Sequence, residues 1–230
     1  MGKLIYGCIA RKHMVDQPSS ETQGIANKFY IDEKDSLELL KTSENSERVK
    51  KVAVAAIFAA ASIAASPIAA FIPRIPGWDI ALFDPVSFFW IAAFLVGGLW
   101  IGLISSVAGM IGLFFFDPSV IGPVFKFEAT LIMIIIPWLI AKLFGNHEGG
   151  SYIGLPKVYL PTMSLAALVR ISLMIVTNLI VVPILYGPIF TMEFIIIYAL
   201  LINGLQSVLD AIVPYLVIHV TPVFKRFGMW

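Results

Sequence analysis

The chain contains little of the chemistry from which disulfides and metal centres are built. It has one cysteine, Cys8, and three histidines among 230 residues. One cysteine forms no disulfide within the chain, and the histidines show none of the paired spacings of a metal site. His147 and Glu148 form an isolated pair, while His13 and His219 have no partner nearby in sequence. The sequence therefore predicts neither a disulfide framework nor a bound metal.

Motifs for nucleotide hydrolysis and covalent catalysis are also missing. There is no G-x-x-x-x-G-K-[ST] loop that would cradle phosphates, no G-x-S-x-G elbow and no H-E-x-x-H pair. A formal net charge of +1 gives no strongly basic surface for a nucleic acid. We therefore expect no enzyme, no cofactor and no nucleic-acid partner.

Charged residues are scarce, and apolar residues dominate the composition. Only 13% of the chain is charged, 59% is hydrophobic and the mean hydropathy is +0.89, whereas soluble domains are about 45–50% apolar. Residues 1–51 hold nine of the sixteen Lys and Arg. The sequence predicts an all-α membrane protein with a polar, partly disordered tail (1–51), a six-helix membrane domain (52–222) and a short C-terminal tail (223–230).

The six predicted membrane spans follow from long apolar runs. The run from 80 to 116 is too long for one straight helix in a hydrocarbon core of about 30 Å, so it is divided at Gly97–Gly98. Loops are predicted at 73–85, 117–127 and 145–157, which are rich in proline, glycine and polar residues. The predicted spans are 52–72, 84–98, 100–116, 128–144, 159–186 and 192–220.

The sequence of the N-terminal tail predicts little regular structure. Residues 19–24 have the composition of a linker, and Asp35 with Glu38 forms a possible capping box before a short surface helix. The first apolar run begins only at Val52, so no cleavable signal peptide is expected.

Positive residues predict the orientation. The two tails and the 142–157 loop hold thirteen Lys and Arg, whereas the opposite loops hold only Arg74 and Lys126. Cytoplasmic loops are enriched in positive residues. Both termini are therefore predicted in the cytoplasm of a plasma-membrane protein, with the loops at 73–85, 117–126 and 186–192 outside.

Polar residues inside the last two spans are costly in lipid and should face a protein interior or a cavity. Arg170 and Asp210 lie at equal depth, which predicts an ion pair. Asn203, Ser207 and Asp210 share one helical face with Gln206 beside it. Such amides also serve as interhelical hydrogen bonds in membrane proteins, so a purely structural role remains an alternative.

Several stretches, in this order, resemble the substrate-binding S component of energy-coupling factor vitamin transporters, the riboflavin type above all. They cover about 52–222 and read AAIFAAAS, LFDPVSFFWIAAFLVGGLWIGLISSVAG, IGPVFKFEATL, RISLMIVTNLIVVPILYG and LINGLQSVLDAIVPYL. The resemblance implies six helices, a vitamin held near the outer surface, a membrane coupling subunit and two cytosolic ATPases. It also implies contact of Ala56 and Ala60 with the coupling subunit, with Ala55 and Ala59 as the other register. Riboflavin members have a lysine where this chain has Gln206.

The predicted ligand site combines amides, charges and aromatic rings. Asn178 and Asn203 are expected to form its hydrogen-bonding core, supported by Gln206, with the 73–85 loop as a lid. Residues at the span mouths and on the outer loops complete the set: Asp84, Lys126, Glu128, Trp78, Phe83 and Phe125. Two other functions stay open, a solitary small transporter or channel and an intramembrane enzyme, of which the enzyme lacks a catalytic set.

Overall fold

The structure is a computed structural model that describes residues 20–69, 74–75, 80–81, 84–116, 121–145 and 149–230. Side chains are described in these ranges from residue 44 onward, except at 69 and in the two short strands. The chain divides into two units, 1–47 and 48–230. The first unit is helical from Ser20.

The described residues are almost entirely helical. A two-residue antiparallel ladder, β1 (Arg74–Ile75) with β2 (Ile80–Ala81), lies between the first two helices. A π-helical turn (Leu216–Val220) follows the sixth helix. The helices are α1 (Ser20–Ala69), α2 (Pro85–Leu113), α3 (Ile121–Phe144), α4 (Gly149–Ile153), α5 (Pro156–Tyr186), α6 (Met192–Tyr215) and α7 (Val223–Phe227).

Five helices of the described chain are long and apolar enough to cross a bilayer, which makes this a multi-pass membrane protein by length and composition. The sequence predicted six spans, and the difference arises in α2. The five candidates are Glu44–Ile68, Pro85–Leu113, Ile121–Phe144, Pro156–Tyr186 and Met192–Val220.

Helix α2 reverses its direction at Gly98, which confirms the predicted break. Gly98 has φ 80° and ψ −171°, outside the helical region. A Cβ at Gly102 would lie 2.8 Å from Cβ of Phe94, and one at Gly109 would overlap the indole of Trp90. Residues 90 and 109 of a straight helix would be about 28 Å apart. Residues 85–97 and 99–113 are therefore two antiparallel helical halves.

The sequence permits this reversal because glycine occupies both the turn and the contact. The backbone angles of Gly98 lie in a region that side chains other than glycine rarely adopt. Small residues then let the two halves and α1 approach closely. Ser105 of the second half donates a hydrogen bond to the carbonyl of Ala55 on α1, at 3.0 Å. The hairpin and α1 therefore pack against each other around Ala55, Ala93 and Ile101.

Several helix ends lie where proline and glycine in the sequence predict a loop. Helix α3 begins at Ile121, inside the predicted 117–127 loop, because Pro123 sits in the first turn, where no backbone N–H bond is lost. Pro156 opens α5 in the same way. Helix α4 occupies part of the predicted 145–157 loop. The linker expected at 19–24 is helical from Ser20.

The C-terminal residues return to the turn of the α2 hairpin. The backbone N–H of Met229 donates to the carbonyl of Val96 at 2.8 Å, and Nε1 of Trp230 donates to the carbonyl of Leu95 at 3.1 Å. These carbonyls end the first half of α2, where a helix has no partners of its own for them. The C-terminal segment thus caps the hairpin.

Candidate functional site

A cavity of about 310 Å³ opens between the start of α2 and helices α3, α5 and α6. We call it the polar cavity, because charged and amide side chains line one part of its wall. Those side chains are Asp84, Lys126, Arg170, Asn178, Asn203 and Gln206. The apolar part of the wall includes Phe125, Ala129, Met174, Tyr198, Ala199 and Ile202.

Arg170 is the centre of the polar wall. Its Nη1 lies 2.6 Å from Oδ2 of Asp210, which confirms the ion pair that the sequence predicted. Its Nη2 donates to Oε1 of Gln206 at 3.1 Å, and its Nε donates to Oδ1 of Asn203 at 3.4 Å. A guanidinium has five N–H donors, so two remain directed at no acceptor among the described residues. Helix α6 therefore holds Arg170 with three side chains while leaving it able to bind a ligand.

Asp210 lies behind Arg170 and is not part of the cavity wall. Its side chain is 2% exposed, and its second oxygen, Oδ1, accepts a hydrogen bond from Ser87 on α2 at 2.7 Å. A buried carboxylate is tolerated when it is paired and its remaining oxygen is hydrogen-bonded. Asp210 thus ties α5, α6 and α2 together beneath the cavity.

Asp84 carries the second ion pair of the site. Its Oδ2 lies 3.0 Å from Nζ of Lys126 on α3, and its Oδ1 accepts the backbone N–H of Val86 at 3.0 Å. Asp84 is therefore both the N-cap of α2 and a charged residue of the cavity wall. The cap fixes the carboxylate, and the carboxylate in turn positions Lys126.

The amide groups differ in what they offer to a ligand. Nδ2 of Asn178 donates to the carbonyl of Met174 at 2.7 Å, which leaves Oδ1 as an acceptor without a partner in the described chain. Gln206 uses Oε1 for Arg170, so its amide nitrogen is the donor that remains. Both amide atoms of Asn203 are engaged, because Nδ2 donates to the carbonyl of Ala199 at 2.9 Å.

Six of the nine predicted binding residues line the polar cavity. Glu128 is not among the lining residues, since its Oε1 accepts a hydrogen bond from Thr177 on α5 at 2.7 Å. Trp78 and Phe83 lie outside the described residues, as does most of the predicted 73–85 lid.

Some residues of the cavity wall were not predicted from the sequence. They lie on the same helical faces as the predicted polar residues, about one turn apart along each helix. On α5 the cavity residues Arg170, Met174 and Asn178 follow each other at intervals of four. On α6 Tyr198, Ile202 and Gln206 do the same. Helical periodicity places residues four apart on one face, so the apolar members could have been found from the polar ones.

The structure also separates the two alanine registers of α1. Ala55 and Ala59 are buried against the α2 hairpin, with 0% and 6% of their surface exposed. Ala56 and Ala60 are exposed. Only the register of Ala56 and Ala60 is available to a partner protein.

Comparison of the chain with protein-family models, with curated proteins and with solved structures finds no match. The functional interpretation consequently depends on the site itself and on the sequence features described above.

Proposed function

We propose that this protein is the substrate-capture subunit of an energy-coupling factor type uptake transporter and that its ligand is a vitamin, riboflavin first. The observation that carries the proposal is the polar cavity. Charged and amide groups from four helical segments meet there, although the surrounding helices are strongly apolar. Polar groups inside a membrane helix bundle are costly and typical of a substrate site.

The chemistry of the polar cavity suits a flat, polar heterocycle. Small-molecule sites have volumes of about 300–1,000 Å³ and combine an apolar wall with a few placed polar groups. Oδ1 of Asn178 is an acceptor, and the amide nitrogen of Gln206 and the remaining N–H groups of Arg170 are donors. Phe125 and Tyr198 also line the wall and can cover a ring face.

Partner subunits would supply the energy for transport. The chain has no phosphate-binding loop. In the family that the sequence resembles, ATPase subunits and a membrane coupling subunit supply the energy for uptake against a gradient. Co-purification of these subunits would separate the proposal from a solitary transporter or channel.

The proposed arrangement in the plasma membrane has six crossings and cytoplasmic termini. The two halves of α2 each count as one crossing, although each is only about 20 Å long and shorter than a typical hydrocarbon core. Positive residues at the ends near both termini support the orientation.

Binding of riboflavin is the direct test of the function. Purified full-length protein in detergent is expected to show quenching of tryptophan fluorescence and an increase in thermal stability on titration with riboflavin, because a ligand that binds only the folded state stabilises it. Other vitamin-sized heterocycles are titrated in parallel, and any co-purified molecule is identified by mass spectrometry. Absence of binding by every member of the panel would contradict the proposal.

Orientation is testable with two cysteines on a Cys8→Ser background. Ser151 is exposed on α4 and Ile189 is 75% exposed between α5 and α6. In intact cells an impermeant thiol reagent should label Ile189→Cys and spare Ser151→Cys. Gly149 is unsuitable because its φ is +39° and a side chain would meet Trp230. Labelling with the opposite pattern would reverse the proposed orientation.

The exposed alanine register provides a test of coupling. Replacement of Ala56 and Ala60 together by tryptophan should abolish co-purification of the coupling subunit while riboflavin binding by the isolated protein is retained. The matched control replaces Ala55 and Ala59, whose burial predicts loss of folding instead. If the Ala56 and Ala60 variant loses ligand binding as well, the face serves internal packing.

A further inference from the structure

Four aromatic side chains form a row that runs from the connection between α5 and α6 to the wall of the polar cavity. We call Tyr186, Phe190, Phe194 and Tyr198 the aromatic row. The ring centroids of successive members are 6.2, 5.4 and 5.9 Å apart, which is the range of aromatic rings in contact. Tyr198, the innermost member, also lines the polar cavity. The aromatic row and the cavity wall are therefore one connected surface.

The spacing along α6 explains why the row leads into the cavity. Phe190, Phe194 and Tyr198 are four residues apart, and Ile202 and Gln206 of the cavity wall continue the same series. Residues four apart on a helix lie one above the other. Tyr198 lies about 9 Å along the axis from the first residue of α6. The series thus connects the beginning of α6 with the amide donor at the far end of the cavity wall.

The rings of the row are partly exposed and similarly oriented. Tyr186, Phe190 and Phe194 are 55%, 41% and 40% exposed. The ring planes of Phe190 and Phe194 differ by 14°, and those of Phe194 and Tyr198 by 27°. Nearly parallel rings with centroids more than 5 Å apart are offset, so part of each face stays uncovered. A flat ring that stacks on Phe194 can therefore reach Tyr198 by translation with little rotation.

The row differs from the aromatic belt of a membrane protein. A belt consists of Trp and Tyr at the depth of the headgroups, whereas this row runs along a helix and contains two phenylalanines. Phe194 and Tyr198 are the only aromatic residues between positions 192 and 203. The other large exposed side chains of that segment are aliphatic or methionine: Met192, Ile196, Ile197, Leu200 and Leu201. Aromatic rings on this part of α6 thus occur only in the series that leads to the cavity.

We propose that the aromatic row is the route by which a planar heterocycle reaches the polar cavity. The ligand stacks first on Phe190 and Phe194 and then passes Tyr198. This proposal rests on the proposed function, because it assigns a path to the ligand of that site. Stacking on a ring face needs no directional hydrogen bond, so a flat ring can move from one aromatic side chain to the next. A contact made only in transit lowers the barrier equally for binding and release, so the row acts on both rates and not on the affinity.

The test uses purified full-length protein and riboflavin. Stopped-flow tryptophan fluorescence measures the association and dissociation rates, and equilibrium titration measures the dissociation constant. The double variant Phe190→Leu with Phe194→Leu removes two rings and keeps apolar side chains. It should lower both rates on the order of 10-fold, the size expected from lost aromatic stacking, with the dissociation constant and the thermal unfolding midpoint nearly unchanged. Tyr198→Leu changes the cavity wall and should weaken the affinity itself.

Two further variants separate a route from a general effect of exposed rings. Phe115→Leu is the matched control, because Phe115 is 83% exposed and lies outside the row; both rates should stay as in the unchanged protein. Phe194→Tyr keeps the ring and should also keep the rates.

Unchanged rates in the double variant, with normal affinity, would overturn the route and leave the proposed function standing. Equal slowing by Phe115→Leu would also overturn it, as would a loss of affinity without a slower association. If the unchanged protein does not bind riboflavin, the proposed riboflavin site is wrong and the route is wrong with it.

Discussion

Replacement of Arg170 by leucine is expected to destabilise the protein by about 3–5 kcal/mol, the cost of breaking a buried ion pair on one side. The change leaves Asp210 without its ion-pair partner, 2% exposed and bonded to Ser87 alone. Unfolding by denaturing detergent, followed by circular dichroism of the ligand-free protein, measures the free energy. The reciprocal change, Asp210→Leu, should cost less. Arg170 then keeps Asn203 and Gln206 as acceptors and faces a cavity that water can enter.

The double variant Arg170→Leu with Asp210→Leu should be more stable than Arg170→Leu alone, because neither charge is left unpaired. Lys126→Leu is the matched control. It removes Lys126, which is 31% exposed, from Asp84, which is 9% exposed but keeps the backbone N–H of Val86, and it should therefore cost less than Arg170→Leu. If the two single changes add without coupling, the contact between Arg170 and Asp210 has no energetic importance.

This ion pair and the α2 hairpin could be predicted from the sequence because both follow from the dimensions of a membrane. An apolar run that is too long for one crossing has to reverse, and adjacent glycines mark the position. Two opposite charges at equal depth on neighbouring spans have to meet, because each alone is costly in lipid. Arguments of this kind need only distances along the chain.

Rotation about a helix axis was harder to predict. The sequence predicts Lys126 and Glu128 in one site, but residues two apart in a helix are rotated by about 200°, so their side chains point to nearly opposite sides of the helix. Residue 126 lies in a predicted loop, where this periodicity does not apply. In the structure α3 begins at Ile121, and Lys126 lines the polar cavity while Glu128 contacts Thr177.

Asn203 shows a second limit of prediction from sequence. Its place on a helical face could be predicted, but its hydrogen-bond partners could not. The sequence places it on the polar face of α6, and it does line the polar cavity. Its amide is nevertheless engaged by Arg170 and by the carbonyl of Ala199. Which of several amides on one face holds the arginine depends on side-chain rotamers that the sequence pattern does not specify.

Changes of Asn178 and Gln206 are expected to have the largest effects on ligand binding. Oδ1 of Asn178 and the amide nitrogen of Gln206 are the amide atoms that the protein leaves for a ligand. Loss of a hydrogen bond to a buried ligand group costs about 1–3 kcal/mol, so Asn178→Ala and Gln206→Ala should each weaken riboflavin binding about 10- to 100-fold. Isothermal titration or fluorescence quenching with the purified variants measures the dissociation constants.

Three further variants decide which groups contact the ligand. Gln206→Glu keeps an oxygen for Arg170 but removes the amide donor, so it should weaken binding as Gln206→Ala does, with the stability of the protein less affected. Asn203→Ala should act by releasing Nε of Arg170 and should therefore lower stability together with affinity. Glu128→Gln keeps the acceptor for Thr177 outside the polar cavity and should leave the affinity unchanged. If Glu128→Gln weakens binding while Asn178→Ala and Gln206→Ala do not, the ligand binds elsewhere and the polar cavity serves only to hold the helices together.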